Sequence, residues 1–389
     1  MIAAASEDRE FREEVRTWLT ENVPTEPQPV DIQEMREFDL DWQRRQYEGG
    51  WAGIAWPAEY GGRGMTLTQQ LIWYEEYALA NGPHAGVNFV GLNHGGPTLI
   101  ARGDDAQKSF HLPRILRGEA VWCQGFSEPE AGSDLASLRT RAVVDGDELV
   151  VTGQKIWTSY ADAADYQELL VRTDSTGSKH QGITWVIADM RSPGIEIRPL
   201  RTPARDRHFA EVFYDDVRIP LSNVVGEPGQ GWSVAMSTLG FERGAGFMAD
   251  QLSLHRQLED LIELAGTVPG PDGRRPAVRD DEIARRLADA RAEIAALRAM
   301  TYAAVSRNAR RATPGPEGSI VKLYFAEVRQ SLSRLTMDVL GPRGLTFVHR
   351  HEPDGQTGAY LYSLAASIGG GTSEIQRTII GERVLGLPR

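Results

Sequence analysis

The segment Phe126-Ser127-Glu128-Pro129-Glu130-Ala131-Gly132-Ser133-Asp134 combines turn formers with hydroxyl donors. Pro129 and Gly132 bend the chain. Ser127, Ser133 and the N–H groups beside them can then donate to a flat, polar ligand. By itself the segment reads equally as a turn with a capping serine. Lys155-Ile156-Trp157-Thr158-Ser159 follows shortly after, and its indole could lie against a ring system with hydroxyls beside it. By itself Trp157 reads as a core aromatic. Near the end comes Gly369-Gly370-Gly371-Thr372-Ser373-Glu374-Ile375-Gln376-Arg377. Its three glycines permit close backbone approach to a ligand just before a helix start, with Thr372 and Glu374 in the first turn. A glycine hinge with an N-cap is the plainer reading.

Other chemistries find little support. No histidine and cysteine spacing suits a structural zinc site, His349 and His351 being too closely set, so no metal is expected. Walker, GxGxxG and GxSxG patterns are absent, which argues against a Rossmann-type dinucleotide site. The net charge of -12 disfavours nucleic acid and anionic membranes as partners. Cys123 is the single cysteine, so no internal disulfide can form, and a reducing, cytoplasmic setting is expected. Residues Ala78–Ala101 lack charge but carry many Gly, Pro, Asn and His residues, so buried helix and turn is expected there and no membrane insertion.

The elements that must position these segments fall into three zones. Helical spacing dominates from Glu7 to about Gly118, as in Val15/Trp18/Leu19 and Leu71/Tyr74/Tyr77/Ala78, around a Gly/Trp/Pro-rich loop at 49–64. Near Val121 the texture turns to short strands. Ala142–Val144 and Leu149–Val151 flank Asp145-Gly146-Asp147 as a hairpin, with further strands near 168–172, 183–188, 195–199 and 211–214. Helical spacing returns after Gly231. Trp232, Ala235, Met236, Leu239 and Glu242 share one face; Ile283, Leu287, Ala290, Ile294 and Leu297 share another. Loops are expected at 268–279 and 313–318. The fold class expected is α+β, with a helical domain over 1–120, a β-barrel over 121–228 and a four-helix bundle over 229–389.

Taken together, the three segments resemble the acyl-CoA dehydrogenase family, and the resemblance runs from Glu7 to Leu387. Phe213–Pro220 also resembles the family's closing barrel strand. The resemblance implies an enzyme that binds FAD between barrel and C-terminal helices. It would oxidise an acyl-CoA and pass electrons to an electron-transfer flavoprotein, as a homo- or hetero-tetramer. By match, Gln124, Phe126, Ser127, Gly132, Ser133, Trp157, Thr158, Ser159, Thr372 and Glu374 would contact the cofactor. Ser133, Phe241, Arg243, Gly370 and Gly371 would contact the substrate. Glu130 stands where glycine is usual, which raises the question of its backbone angle.

The family's usual base precedes Gly-Thr-Ser, but that position here is Gly370, which cannot move a proton. One branch uses instead a glutamate on the first long C-terminal helix, and the match is Glu242. Its place on the apolar face agrees, because an unpaired carboxylate there is costly. A local pairing with Arg243 is the structural alternative. The family's Arg-x-x-Phe-Gly phosphate grip is missing between Glu263 and Arg279, and Asp338 replaces a glutamine. These departures resemble subunits of heteromeric, actinobacterial steroid-degrading members, in which a partner completes the flavin site. A flavin oxidase or monooxygenase on a non-CoA substrate, and a subunit without chemistry of its own, are the alternatives.

Overall fold

The computed structural model describes residues 6–242, 246–308, 315–352 and 354–388. Five helices come first: α1 (Ser6–Asn22), α2 (Ile32–Glu48), α3 (Leu67–Leu79), α4 (Gly96–Arg102) and α5 (Asp105–Leu116). Their starts are set by side chains that satisfy otherwise orphaned N–H groups. Asp31 caps α2, while Thr66 with Gln69 and Asp104 with Gln107 form capping boxes on α3 and α5. Val15 and Leu19, one turn apart on α1, are fully buried against Trp51 and Trp73. Between α3 and α4 the uncharged stretch forms short turns, including a π-helical turn over Gly91–Gly95.

Seven strands follow: β1 (Trp122–Gly125), β2 (Arg141–Asp145), β3 (Glu148–Ser159), β4 (Tyr166–Arg172), β5 (Ile183–Asp189), β6 (Ile195–Leu200) and β7 (Phe209–Pro220). They join in the order β1-β4-β2-β3-β7-β6, with β5 on β4. The β2/β3 hairpin turns at Gly146, whose φ of 66° is left-handed. One face of the sheet curls around a shared core that includes Cys123, Ala142, Leu149, Leu169, Val186 and Val212. The other face of β4 and β5 is also covered, since Leu170, Ile183, Trp185 and Ile187 join a core shared with α4 and α5. Burial on both sides explains why these strands read as continuous apolar runs.

The helical tail comprises α6 (Gly231–Glu242), α7 (Gly246–Thr267), α8 (Asp281–Asn308), α9 (Gly318–Leu340), α10 (Gln356–Ser363) and α11 (Ser373–Ile379). Helices α7, α8 and α9 interlock through Leu258, Leu287, Ile294, Phe325 and Leu332. Helices α10 and α11 lie on α9. Helix α6 stands apart from that bundle and packs on α4 and β5.

The face that α6 buries keeps Trp232, Ala235 and Leu239 of the expected stripe but not Met236. Gly231, Val234, Ala235 and Thr238 point inward, whereas Met236 is 37% exposed. The reason is close approach: a Cβ on Gly231 would come within 2.5 Å of the Thr184 backbone, and Thr238 Oγ1 lies 2.8 Å from Thr98 Oγ1. Small residues set the closest approach, while Trp232 and Leu239 of the expected stripe pack against the same core. Among the described residues no helix is long and apolar enough to cross a membrane.

Candidate active site

The turn after β1 is built as a closed unit. Glu128 and Ala131 exchange backbone hydrogen bonds at 3.0 and 3.1 Å. Glu128 is buried, and its carboxylate accepts from the N–H groups of Arg139 (2.6 Å) and Thr140 (2.8 Å) and from Lys155 Nζ (2.8 Å). Those donors hold its carboxyl below the usual range against the opposing effect of burial, while burial brings the Lys155 ammonium down to about 8. Ser127 is half-buried and Gly132 and Ser133 are exposed. A Cβ added at Gly132 would meet nothing within 4 Å, so the outer side of the turn is open. Glu130 does not take a positive φ, and its exposed side chain pairs with Arg139 at 2.9 Å. The charge that replaces the usual glycine therefore needs no left-handed backbone.

Trp157 sits in a bulge of β3. The register with β7 shifts between Lys155 and Thr158, and Trp157 takes a φ of 61°. A left-handed bulky residue in a strand costs about 1–3 kcal/mol. The shift re-aims the side chain, and the indole emerges 57% exposed, with Phe209 edge-on at 5.8 Å. The main chain beside it is tied to the turn, because Ile156 N–H donates to the Ser127 carbonyl at 2.9 Å. An exposed aromatic face beside an open turn bearing hydroxyls suits a flat heteroaromatic group such as a flavin.

Two of the expected contact residues are placed differently. Phe126 is buried in the core between sheet and helices, so its ring is unavailable and its carbonyl instead accepts from Lys155. Thr158 is fully buried, opposite Ala210 of the barrel interior, and its Oγ1 has no hydrogen-bond partner. The bulge that turns Trp157 out turns Thr158 in. Ser159, beyond it, is half-buried. Gln124 is half-buried, and its Nε2 lies 2.7 Å from Glu168 Oε1 and 3.2 Å from His94 Nδ1.

The glycine segment approaches from α10. Phe209 leads to His208 (4.0 Å between centroids) and His208 to Tyr362 (5.5 Å), one residue before the end of α10. Gly370 and Gly371 have φ values of 65° and 91°. Their carbonyls accept from Gln376 Nε2 at 2.9 and 3.1 Å, and Lys322 Nζ lies 2.6 Å from the Gly371 carbonyl. Thr372 caps α11 by accepting from Ile375 N–H at 3.3 Å, and Glu374 stands exposed.

Helix α6 brings in the expected substrate residues. Phe241 is half-buried, and Glu242 is the last residue of the helix, four positions after the inward-facing Thr238. The Glu242 side chain and all of Arg243 lie outside the described residues. Within the N-terminal helical domain, closed by Ser253 and Arg256 of α7, a cavity of about 410 Å³ is walled by Trp42, Trp56, Trp73, Tyr77, Phe89 and Leu92, and none of the expected site residues lines it. Sequence reasoning missed that cavity and the buried Lys155–Glu128 pair. The alternation of β3 hinted at an inward Lys155, but only the bulge fixes which residues face in.

A helical head, a curled sheet with an exposed tryptophan beside a hydroxyl-bearing turn, and a helical tail define the three-domain dehydrogenases that act on acyl thioesters. The chain belongs to the acyl-CoA dehydrogenase family: family models of its N-terminal, middle and C-terminal domains match residues 5–119, 123–217 and 229–385. It is 41% identical over 392 residues to acyl-CoA dehydrogenase IpdE1 of Mycobacterium tuberculosis strain H37Rv, covering 98% of each chain. It is 35% identical over 408 residues to acyl-CoA dehydrogenase FadE26 of that strain, covering 100% of this chain and 99% of the relative. Among solved structures, the Tcur3481-Tcur3483 steroid acyl-CoA dehydrogenase matches with TM-score 0.85 at 31% identity, over 100% of both chains. The ChsE4-ChsE5 complex of Mycobacterium tuberculosis matches with TM-score 0.83 at 33% identity, over 100% of both chains. The family is flavin-dependent.

Proposed function

We infer that this chain is the catalytic subunit of an FAD-dependent dehydrogenase that desaturates an acyl-CoA between its α and β carbons. The acyl group is a bulky, steroid-derived one. The observation that carries the flavin reading is Trp157, held left-handed in the β3 bulge with its indole exposed beside the Ser127–Ser133 turn. Held by the Ser127–Ser133 turn and Trp157, FAD would supply the hydride acceptor for the β hydrogen, with an electron-transfer flavoprotein as the onward electron acceptor. The chain's own residues do the rest. Ser127 and Ser133 donate to the flat ligand and Trp157 covers it. Glu242 accepts the α proton on its carboxylate, which requires a position shielded enough to raise its basicity. Arg243 orients that carboxylate or meets the CoA portion. The similar solved structure titled a steroid acyl-CoA dehydrogenase supports a bulky acyl body.

Two observations favour assembly with a different partner chain. Asp338, which stands where a phosphate donor is usual, is held 2.7 Å from Arg286 of the same chain, so its charge faces an internal partner. Leu345, Ile368, Leu385 and Leu387 are exposed apolar residues in the same terminal region, as at a subunit interface. Two similar solved structures are complexes of paired chains by their titles.

The decisive experiment is anaerobic titration of the flavin-loaded protein, alone and with a candidate partner subunit, against a panel of acyl-CoA esters. Bleaching of the flavin by bulky alicyclic esters is the expected outcome, and no bleaching by any ester defeats the reading. Glu242→Gln should keep the flavin and lower the bleaching rate by about 10²–10⁴-fold.

A further inference from the structure

Lys155 has no exposed surface, although it stands two residues before the half-exposed Trp157. Its ammonium reaches the Phe126 carbonyl at 3.1 Å and Glu128 Oε1 at 2.8 Å. Phe126 opens the turn and Glu128 lies inside it, so one cation grips the turn at two points. Glu128 is in turn fixed by the N–H groups of Arg139 and Thr140, where the chain leaves for β2. A buried ion pair of this kind is a weak source of net stability compared with apolar residues of similar volume, but a strong directional constraint. Lys155 is also the last β3 residue in register with β7 before the bulge, opposite Val212. The pair therefore joins the turn that carries Ser127 and Ser133 to the strand position from which Trp157 departs.

We propose that the Glu128–Lys155 pair is the positioning device of the flavin site: it fixes the hydroxyl-bearing turn against the Trp157 ring so that both present one binding surface. This rests on the flavin reading above. Both are positioning residues, since each is buried beneath the surface it sets. The geometry requires both members. Without Lys155, Glu128 is left as a buried carboxylate held only by backbone donors. Without the Glu128 charge, the ammonium is left with neutral acceptors. Loss of Lys155 leaves Ile156 N–H to the Ser127 carbonyl to hold the turn on β3, and loss of the Glu128 charge leaves that bond and Lys155 to the Phe126 carbonyl, so in either case the turn is held less firmly.

The test uses the full chain in its flavin-loaded form, as Glu128→Gln, Lys155→Met and the double variant. Three quantities are read: thermal midpoint, FAD dissociation constant, and visible circular dichroism of the bound flavin. Each single variant should lose stability and weaken FAD by at least about tenfold. The double variant, with no unpaired buried charge, should regain most of the thermal midpoint. Its FAD affinity and flavin dichroism should stay at the single-variant level. Return of all three together would mean the pair serves folding alone, and overturns the proposal. Should the double variant not fold, Lys155→Arg and Glu128→Asp keep the charges and change their reach. Altered dichroism with a normal midpoint supports the proposal, and unaltered dichroism overturns it. If the wild-type chain takes up no flavin either alone or with the candidate partner subunit, the flavin reading fails by itself. The clamp is then read from iodide quenching of Trp157, taken as the difference from Trp157→Phe; quenching unchanged in the double variant sinks it.

Discussion

Trp157, which we propose covers the flavin, differs from the core tryptophans of the same chain. Trp51 and Trp73 stack at 4.8 Å and are buried, as a core aromatic should be. Trp157 instead accepts a left-handed backbone and gives up burial. That strain is local and can be separated from binding. Trp157→Gly would place the residue best suited to φ of 61° at the bulge, relieving about 1–2 kcal/mol while losing little packing. The expected outcome is a thermal midpoint of the flavin-free chain that is unchanged or higher, with FAD affinity lowered at least about tenfold, read by fluorescence titration. A fall in stability without loss of affinity would make Trp157 a structural residue. The type of this residue was legible in the sequence, and so was its neighbourhood of hydroxyls. Its exposure was not, because it depends on a register shift against β7, more than fifty residues later in the chain.

At the scale of elements, β3 is the piece that everything else leans on. It pairs with β7 along its length and with β2 over Glu148–Thr152, and its register with β7 shifts twice, between Val151 and Gly153 and between Lys155 and Thr158. A Cβ at Gly153 would lie 2.7 Å from the Thr140 Cα, and a main-chain atom cannot swing aside. Gly153→Ala should therefore destabilise the sheet by about 1–3 kcal/mol, seen as a lower denaturation midpoint. Because Thr140 N–H donates to Glu128, the same variant should also weaken flavin binding. The β2/β3 hairpin was readable from Asp-Gly between apolar runs, and the α8 face from its spacing, since Ile283, Leu287, Ala290, Ile294 and Leu297 are all buried. Strand β1 was not readable as such: it is four residues long, parallel to β4 and buried without alternation. On α6 the spacing placed Trp232, Ala235 and Leu239 on the packed face, but it also suggested Met236, where close packing on Thr184 and Thr98 selected Gly231 and Thr238.

The whole molecule is joined where the middle and C-terminal domains meet. His349 Nε2 and Arg350 Nε both lie 3.1 Å from Asp206, Arg350 stacks over Tyr362 at 4.0 Å, and His351 stacks on His349 at 5.5 Å. Burial, with Arg350 adding to it, lowers His208 and His351 from 6.5 to about 4. Between those values the unfolded chain takes up protons that the folded chain refuses. Their contribution is thus present above about pH 6.5 and lost as pH falls towards about 4. Asp39, buried under the Val87 N–H, is raised to about 7 from 3.8 and has the opposite sign: its contribution is present below 3.8 and lost as pH rises through 7. The thermal midpoint of His351→Asn should fall less between about pH 7 and about pH 5 than that of the wild type, and that of Asp39→Asn should fall more. Equal slopes in all three proteins would remove these groups from the acid response.

By itself the sequence determined the order of helices, strands and helices, the hairpin and the segments that mark the family. These depend on spacing and on backbone preferences of residues close along the chain. The tertiary structure alone decided that Trp157 is exposed, that Phe126 and Thr158 are buried, that Lys155 is paired beneath the turn, and that α6 turns Met236 away from its packed face. Each of those outcomes follows from contacts between distant segments, where one register shift or one close backbone approach settles which side of an element faces the core.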